Sequence, residues 1–158
     1  MSGSKQFRIG VLSDTHNRLD PALPDLFTGV DCMLHAGDIT SKRVLETLGH
    51  SAPVYAVRGN MDQGLWAVSL PDTRLLEFNG VGIYMLHDLA RMDIKPQAAG
   101  IQVVVYGHTH RASVQRHGGV LYLNPGSAGA SRSGPPSVAL LDIENGKVDV
   151  RIQELHVR

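Results

Sequence analysis

Aspartate, asparagine and histidine side chains stand at the ends of five short apolar segments of this chain. Each ends such a segment or lies within four residues after its end, and three of them, Asp38, Asn60 and His108, come directly after a glycine. The set consists of Asp14, His16, Asp38, Asn60, His87, His108 and His110. Because ligands of open α/β sheets bind beyond the carboxyl ends of the strands, we expect these seven side chains to converge on one site.

The types of donor in this set indicate a metal centre. In extended or loop backbone, residues two apart project to the same side, so Asp14 can share a target with His16, and His108 with His110. Imidazole nitrogen with carboxylate and amide oxygen, and without sulfur, suits Mn²⁺, Fe, Ni²⁺, Co²⁺ or Zn²⁺. Mg²⁺ alone prefers fewer imidazoles. Seven donors with one bridging carboxylate fit two divalent ions, and we take Mn²⁺ as the first expectation.

The first half of the chain alternates between strand and helix patterns. Strands are expected over Phe7–Ser13, Asp31–Ala36 and Pro53–Val57, because these runs are short, apolar and followed by turn residues. A short helix is expected over 20–28, and a second one after an N-cap at Ser41. This alternation predicts right-handed crossovers and a parallel sheet.

The second half of the chain carries short strand patterns separated by tight turns. Asn79-Gly80 is the dipeptide favoured at type I′ hairpin turns, so antiparallel pairing is expected in this half. The predicted strands cover Thr73–Phe78, Val81–Leu86, Ile101–Tyr106, Ala112–Arg116, Val120–Leu123, Ser137–Ile143 and Lys147–Gln153. The predicted fold class is α/β, with two mixed β-sheets packed as a sandwich and flanking helices.

Length and charge limit the classes of protein to which the chain can belong. With 158 residues, we expect a single domain over 7–158 after a disordered or tag-like start over 1–6. Lysine plus arginine equals aspartate plus glutamate, at 15 each, so neither bulk nucleic-acid binding nor binding to an anionic membrane surface is expected. No apolar run approaches the roughly 20 residues of a membrane span, and the start lacks a secretion signal. We therefore expect a cytoplasmic protein.

The order of the motifs resembles that of the calcineurin-like metallophosphoesterase superfamily. Short length and the turn at Asn124-Pro125-Gly126-Ser127 look most like its small YfcE-type phosphodiesterase branch. Each motif alone is common, but their order at strand ends is specific. The motifs here are Ser13-Asp14-Thr15-His16, Gly37-Asp38, Gly59-Asn60-Met61-Asp62, His87 and Gly107-His108-Thr109-His110. The resemblance implies a metallophosphoesterase-like fold and hydrolysis of a small phosphate ester, with phosphodiesters favoured over phosphomonoesters.

The resemblance also implies a division of the ligands between two metals. One metal would take Asp14, His16 and His110, and the other would take Asn60, His87 and His108, with Asp38 bridging both. A metal-bridging hydroxide would then attack phosphorus without a covalent enzyme intermediate. Arg58, directly before Gly59, could hold a phosphate oxygen because guanidinium offers paired donors. The predicted catalytic residues are Asp38, Asn60, Arg58 and His108.

Two positions depart from the family pattern. Met61 stands where many members have a histidine that acts on the leaving group, so good leaving groups should be favoured, or Asp62 or a water should assist. Asp88 follows His87 where glycine is usual, and could bind a metal-bound water or hinder bulky substrates.

A non-enzymatic reading of the resemblance is the main alternative. The eukaryotic retromer subunit that resembles this family is a protein-binding scaffold and lacks part of the histidine set, whereas every ligand position is filled here. A homo-oligomer is also possible, because Trp66 with Leu65 and Val68 indicates either core or a dimer contact.

The remaining histidines and the single cysteine are expected to have structural roles. His35 precedes Gly37 inside a strand pattern, which favours packing or support of a ligand. Cys32 lies in an apolar run without a neighbouring lysine or arginine, which favours a core residue over a reactive thiol. Exposed positions are expected for His50, His117 and His156.

Overall fold

In the computed structural model, which describes residues 6–16, 18–129 and 134–155, ten strands form two five-stranded sheets. The strands are β1 (Phe7–Leu12), β2 (Cys32–His35), β3 (Val54–Ala56), β4 (Thr73–Phe78), β5 (Val81–Leu86), β6 (Ile101–Val105), β7 (Ser113–His117), β8 (Val120–Asn124), β9 (Ser137–Glu144) and β10 (Lys147–Glu154). The helices are α1 (Leu23–Leu26), α2 (Lys42–Gly49) and α3 (Leu65–Val68), with a 3₁₀ turn at Leu89–Arg91. Residues 1–5 of the expected tag-like start and His156 lie outside the described residues.

The first sheet has the strand order β10-β9-β1-β2-β3. The pairs β1–β2 and β2–β3 are parallel, as the alternation of strand and helix patterns predicts. The hairpin β9–β10 adds to β1 in antiparallel orientation, with Ile9 opposite Leu141. The carboxyl ends of β1, β2 and β3 therefore meet at one edge of the sheet, where Asp14, Asp38 and Asn60 follow them.

The second sheet has the order β4-β5-β6-β8-β7 and is mixed. The hairpin at Asn79-Gly80 is confirmed, and both residues have positive φ, as a type I′ turn requires. The expectation of antiparallel pairing is wrong for β5–β6 and β6–β8, which are parallel. The segment between β5 and β6 is long enough to carry the chain back across the sheet, and β8 inserts between β6 and β7. The carboxyl ends of β5 and β6 consequently point the same way.

The two sheets pack face to face around one apolar core, so the predicted sandwich is confirmed. Side chains from both sheets fill this layer, among them Val11 and Leu141 from the first and Ile83 and Val105 from the second. Other apolar clusters cover the two outer faces, with α1 and α2 on the first sheet. Burial of these side chains is the main favourable term that holds the strand ends in place.

The helices are shorter than the sequence patterns predict. The helix expected over 20–28 is limited to Leu23–Leu26, since the Asp20 side chain accepts a hydrogen bond from Ala22 and forms a turn instead. Ser41 is the N-cap of α2, as predicted, and accepts from the backbone N–H of Arg43. Within the described ranges, no helix has the length and apolar character that crossing a membrane requires.

The helix α3 presents apolar side chains to solvent. Leu65 is 93% exposed and Val68 is 70% exposed, so of the two expected locations, core or dimer contact, the core is wrong for these two residues. A four-residue helix can bury only one side of its surface, and in α3 the buried residue is Ala67. Trp66 is half-buried against the apolar cluster on the outer face of the first sheet. A dimer contact at these residues stays a prediction.

Cys32 lies in β2 with 2% of its surface exposed, as expected for a core residue, and burial raises the pKa of its thiol to about 12. Because the thiolate is the nucleophile, iodoacetamide at pH 8 should alkylate the folded protein at least about a hundredfold more slowly than protein unfolded in guanidinium chloride. Mass spectrometry over a time course measures both rates. Rapid alkylation of the folded protein would contradict this burial.

Candidate metal centre

Four of the seven predicted ligands form one tight group at the strand ends. Asp14, His16, Asp38 and His110 each offer a ligand atom, and these atoms all lie within 4.8 Å of one another. His110 Nε2 lies 3.2 Å from Asp14 Oδ1 and 3.4 Å from His16 Nε2. Side chains separated by up to 96 positions in the sequence, from 14 to 110, therefore share one place in the fold.

The other three predicted ligands adjoin this group on the side of Asp38. His87 Nε2 lies 3.3 Å from Asp38 Oδ2, and the His108 ring lies 5.2 Å from the His87 ring, centroid to centroid. One end of the Asn60 amide is 3.3 Å from each Asp38 oxygen and 3.1 Å from His87 Nε2. The NH₂ group donates to these acceptors when it occupies that end, whereas the carbonyl oxygen would face a cation there. Asp38 thus lies between two sets of donors.

Asp14 Oδ1 shows that the residues fit a cation. This oxygen is buried and is without a hydrogen bond among the described residues. The Nε2 atoms of His110, His16 and His87 lie 3.2, 3.9 and 3.9 Å from it. The other oxygen, Oδ2, accepts from the Ser13 hydroxyl at 2.6 Å. An unsatisfied buried acceptor costs about 1–3 kcal/mol, and a divalent ion among carboxylate oxygen and imidazole nitrogen removes that cost.

The backbone is left-handed at five of the seven predicted ligands. Eight described residues other than glycine have positive φ, and these five are among them: Asp14 (54°), His16 (49°), Asp38 (55°), His108 (73°) and His110 (65°). Each such conformation costs about 1–3 kcal/mol and persists only where the surrounding structure enforces it. Strain of this kind clusters at functional sites, so the fold holds these side chains in place against local preference.

Glycines before the ligands are required because segments of backbone approach closely. A Cβ at Gly59 would collide with the backbone nitrogen and Oδ1 of Asp38. A Cβ at Gly107 would collide with Ser13 Oγ and would lie 2.7 Å from Asp14 Oδ2. The glycine of each motif therefore makes room for a ligand supplied by a different motif.

The Asp62 carboxylate ties two of the ligand loops together. Its oxygens accept the backbone N–H groups of Asp38, Ile39, Thr40 and Gly59 at 2.8–3.0 Å, and the residue is 5% exposed. Each oxygen has two N–H donors, so the carboxylate serves as an acceptor and does not offer a proton. The expectation that Asp62 could assist the leaving group is therefore wrong, because its position fixes the loops after β2 and β3.

Hydrogen bonding sets the tautomer of His87. Its Nδ1 lies 2.7 Å from the Ala36 carbonyl oxygen, which can only accept, so Nδ1 carries a proton and Nε2 is free to act as a ligand. Burial lowers the pKa of His87, but hydrogen bonding to Asp38 and the charge of Asp14 outweigh it, and the pKa is raised. The pocket between the two carboxylates therefore favours positive charge.

The two carboxylates respond differently to burial in the metal-free chain. Burial raises the pKa of Asp14, and the Ser13 hydrogen bond only partly opposes this. For Asp38, burial also favours the neutral form, but hydrogen bonds from His87 and from the Met61 N–H outweigh it and lower the pKa. Asp38 is thus held as an anion between the two sets of donors, as a bridging ligand requires.

His35 supports the ligand loops without joining the group. It is fully buried, and this lowers its pKa to about 3. Its Nδ1 accepts from Gly37 N–H at 3.2 Å, and Nε2 donates to Thr15 Oγ1 at 3.1 Å. Thr15 in turn donates to the Ile39 carbonyl. The neutral imidazole therefore links the loop of Asp14 to that of Asp38, which confirms the expected supporting role, while His50 and His117 are exposed, as expected.

The turn at 124–127 positions the ligands through its side chains. Asn124 Nδ2 donates to the Gly107 carbonyl at 3.1 Å, and Ser127 Oγ donates to the Asp14 carbonyl at 2.9 Å. Sequence reasoning found this turn only as part of the family resemblance. It missed Ser13 and Ser127 as well, since a single serine beside a glycine or an aspartate gives no distinguishing signal.

A cleft of about 680 Å³ opens beside the exposed ligands Asn60 and His108. Arg58 lines this cleft, its side chain is 40% exposed, and its Nη2 donates to Asp72 Oδ1 at 3.1 Å. The group of ligands therefore runs from the buried Asp14 to side chains that face open space. Arg58 therefore lies in open space beside the Asn60 and His108 end of the group.

Asp62→Asn should loosen the two ligand loops, since an amide can accept at one oxygen only and its NH₂ group would face backbone N–H donors. We expect a loss of about 2–4 kcal/mol in the free energy of unfolding, together with reduced metal content. Urea denaturation and elemental analysis measure the two effects. The control is Asp72→Asn at an exposed carboxylate, which should change neither. Full metal content and stability in Asp62→Asn would contradict the role of Asp62.

Comparison with known proteins agrees with this geometry. Residues 7–146 match the family model described as the calcineurin-like phosphoesterase superfamily domain. A probable metallophosphoesterase of Methanothermobacter thermautotrophicus is 35% identical over 156 residues, covering 91% of this chain and 90% of the relative. A phosphodiesterase of Methanocaldococcus jannaschii is 27% identical, with 87% and 93% covered.

The fold also matches solved structures. Vacuolar protein sorting 29 from Cryptosporidium parvum superposes with a TM-score of 0.76 at 21% identity, covering 95% of this chain and 98% of that one. At this identity the likeness shows the fold alone. The family match spans most of the chain, and the motifs stand in the described geometry at the strand ends. The chain therefore belongs to the calcineurin-like phosphoesterase superfamily.

Proposed function

We propose that this protein hydrolyses phosphate esters, with phosphodiesters preferred to phosphomonoesters, and that it does so with two divalent metal ions, Mn²⁺ foremost. The observation that carries the proposal is the buried Asp14 Oδ1, which has three imidazole nitrogens around it and is without a hydrogen bond in the described part of the chain. The related phosphodiesterase of M. jannaschii supports the substrate class.

The contacts support the division of ligands that the family resemblance implies. Asp14, His16 and His110 would hold one ion, since their ligand atoms are mutually close. Asn60, His87 and His108 would hold the other, and Asp38 would serve both because it contacts each set. When bound, two divalent ions supply an activated water and neutralise the charge that develops on the phosphoryl group.

The chain's own groups then bind and orient the ester. Arg58 stands at the cleft beside Asn60 and can offer two parallel N–H donors to a phosphate oxygen, at the expense of its exposed contact with Asp72. Met61 directs its N–H to Asp38 Oδ1, and its thioether has no proton for the leaving group. Because Asp62 is committed to backbone donors, esters with good leaving groups, such as aryl esters, should be preferred.

A metal-binding scaffold without catalysis is the second candidate. The exposed Leu65 and Val68 on α3 favour it, because adjacent apolar side chains in solvent are typical of protein-binding surfaces. Both candidates require metal, but only the first requires turnover.

The decisive measurement is hydrolysis of bis-p-nitrophenyl phosphate with Mn²⁺, Ni²⁺ or Co²⁺. We expect metal-dependent turnover that a chelator abolishes. Asp38→Asn should lower kcat at least about a hundredfold and lower metal content as well, because one carboxylate serves both ions. His117→Asn, at an exposed histidine on β7, is the matched control and should behave as the native protein. Bound metal without hydrolysis under any of these ions would leave the scaffold as the better candidate.

Arg58→Ala should raise KM for bis-p-nitrophenyl phosphate about tenfold, since the variant loses a charge-assisted bond to the phosphate. Metal content should stay unchanged because Arg58 is not among the ligands. Arg58→Lys should recover part of the affinity through its charge but lack the paired donors. A fall in metal content with unaltered KM would instead give Arg58 a structural role. Steady-state kinetics and elemental analysis distinguish the two results.

A further inference from the structure

Asp88 is a carboxylate held in a fixed orientation on the wall of the cleft. Its Oδ1 accepts the backbone N–H of Ala90 at 3.0 Å and caps the 3₁₀ turn Leu89–Arg91. With Oδ1 engaged, Oδ2 lies 4.0 Å from His108 Nε2, and the side chain is 31% exposed. The second oxygen therefore faces the space beside His108, on the side where the proposed substrate enters.

Among the described residues, the ion-pair contact that Asp88 makes is with the His108 imidazole, at 4.0 Å. Besides the proposed ligands and Asp62, the charged residues that line the cleft are Arg58, Asp72, Asp88, Arg91 and Asp93. Arg58 contacts Asp72, whereas the Asp88 cap bond comes from a neutral backbone N–H. An imidazole that binds metal is neutral, so His108 as a ligand would leave the charge of Asp88 uncancelled. Negative charge thus stands next to the position of a bound phosphoryl group.

Fixed negative charge at this position affects the two classes of ester unequally. A phosphodiester carries one negative charge, and a phosphomonoester carries nearly two above pH 7, since its second ionisation has a pKa of about 6. Coulomb's law at about 5 Å, with an effective dielectric constant of about 50–70 for a solvent-open cleft, gives about a five- to tenfold penalty for the additional charge. Asp88 thereby opposes monoesters more strongly than diesters.

We propose, on the basis of the function proposed above, that Asp88 is a specificity-determining residue that disfavours phosphomonoester dianions relative to phosphodiester monoanions. Its effect is electrostatic and depends on the orientation that the Ala90 N–H imposes. The usual glycine at this position of the family would leave the same wall of the cleft uncharged.

The variant Asp88→Asn tests the negative charge of Asp88 separately from its capping hydrogen bond. An asparagine retains an oxygen that can accept from Ala90 N–H, so the 3₁₀ turn keeps its cap while the negative charge is removed. Asp88→Ala removes the charge and the cap together, and a comparison of the two variants isolates the cap. Asp93→Asn removes another carboxylate from the same cleft and is the matched control.

The first measurement is kcat/KM with Mn²⁺ at pH 8 for p-nitrophenyl phosphate and bis-p-nitrophenyl phosphate, which share a leaving group. In Asp88→Asn, the ratio of monoester to diester kcat/KM should rise about five- to tenfold. In Asp93→Asn it should change less than about twofold. An unchanged ratio in Asp88→Asn, or an equal rise in both variants, overturns the role of Asp88.

The second measurement is binding, which does not depend on turnover. Calorimetry with the Mn²⁺-loaded protein compares methyl phosphate, a dianion at pH 8, with dimethyl phosphate, a monoanion. Asp88→Asn should increase the affinity for methyl phosphate by a factor about five- to tenfold larger than the factor for dimethyl phosphate. Equal effects on both overturn the inference. If the native protein hydrolyses neither ester and this difference is nevertheless seen, the proposed function fails while the charge selection by Asp88 stands.

Metal content measured in parallel tests a different role for Asp88. If Asp88→Asn loses metal and its activity on both esters falls by the same factor, Asp88 is a ligand of the metal centre, and the inference is overturned. We expect native metal content in Asp88→Asn and in Asp93→Asn.

Discussion

Two buried carboxylates, Asp14 and Asp38, share one group of imidazoles, and the rest of the structure depends on how their charge is accommodated. Burial disfavours ionisation of both, and the charge of Asp38 further raises the pKa of Asp14. Hydrogen bonds from His87 and the Met61 N–H outweigh burial for Asp38, whereas the pKa of Asp14 stays raised and its Oδ1 lacks a hydrogen-bond donor among the described residues. Divalent cations are the simplest charge that fits, so the arrangement is best understood as a metal centre.

Holding these groups together imposes costs that the sandwich must offset. Five ligand residues have left-handed backbone, which at about 1–3 kcal/mol each is comparable with the net stability of a domain. The apolar layer between the sheets fixes the strand ends, and Asp62 and His35 then fix the loops that leave them. The core supplies stability, while these buried polar bonds determine the positions of the ligands.

The sequence was sufficient to predict the edge of the fold at which the ligands meet, because an apolar strand followed by glycine and a polar residue is a local pattern. The sequence was not sufficient to predict that β5 and β6 pair in parallel, since the relative direction of the two strands depends on the path of the long connection between them. The role of Asp62 could not be predicted from the sequence either. Its partners are backbone N–H groups of a distant loop, and residue type alone does not indicate them.

Departures from the family pattern carry information of a different kind. Met61 and Asp88 keep backbone and capping contacts, so the local structure tolerates them, but they alter which proton and which charge face the cleft. Such changes leave the ligand set complete, and their proposed effect is on selectivity. The strain at the five ligand residues is explained by the metal centre, which both proposed functions share, since it places the donors at fixed positions before any ion binds.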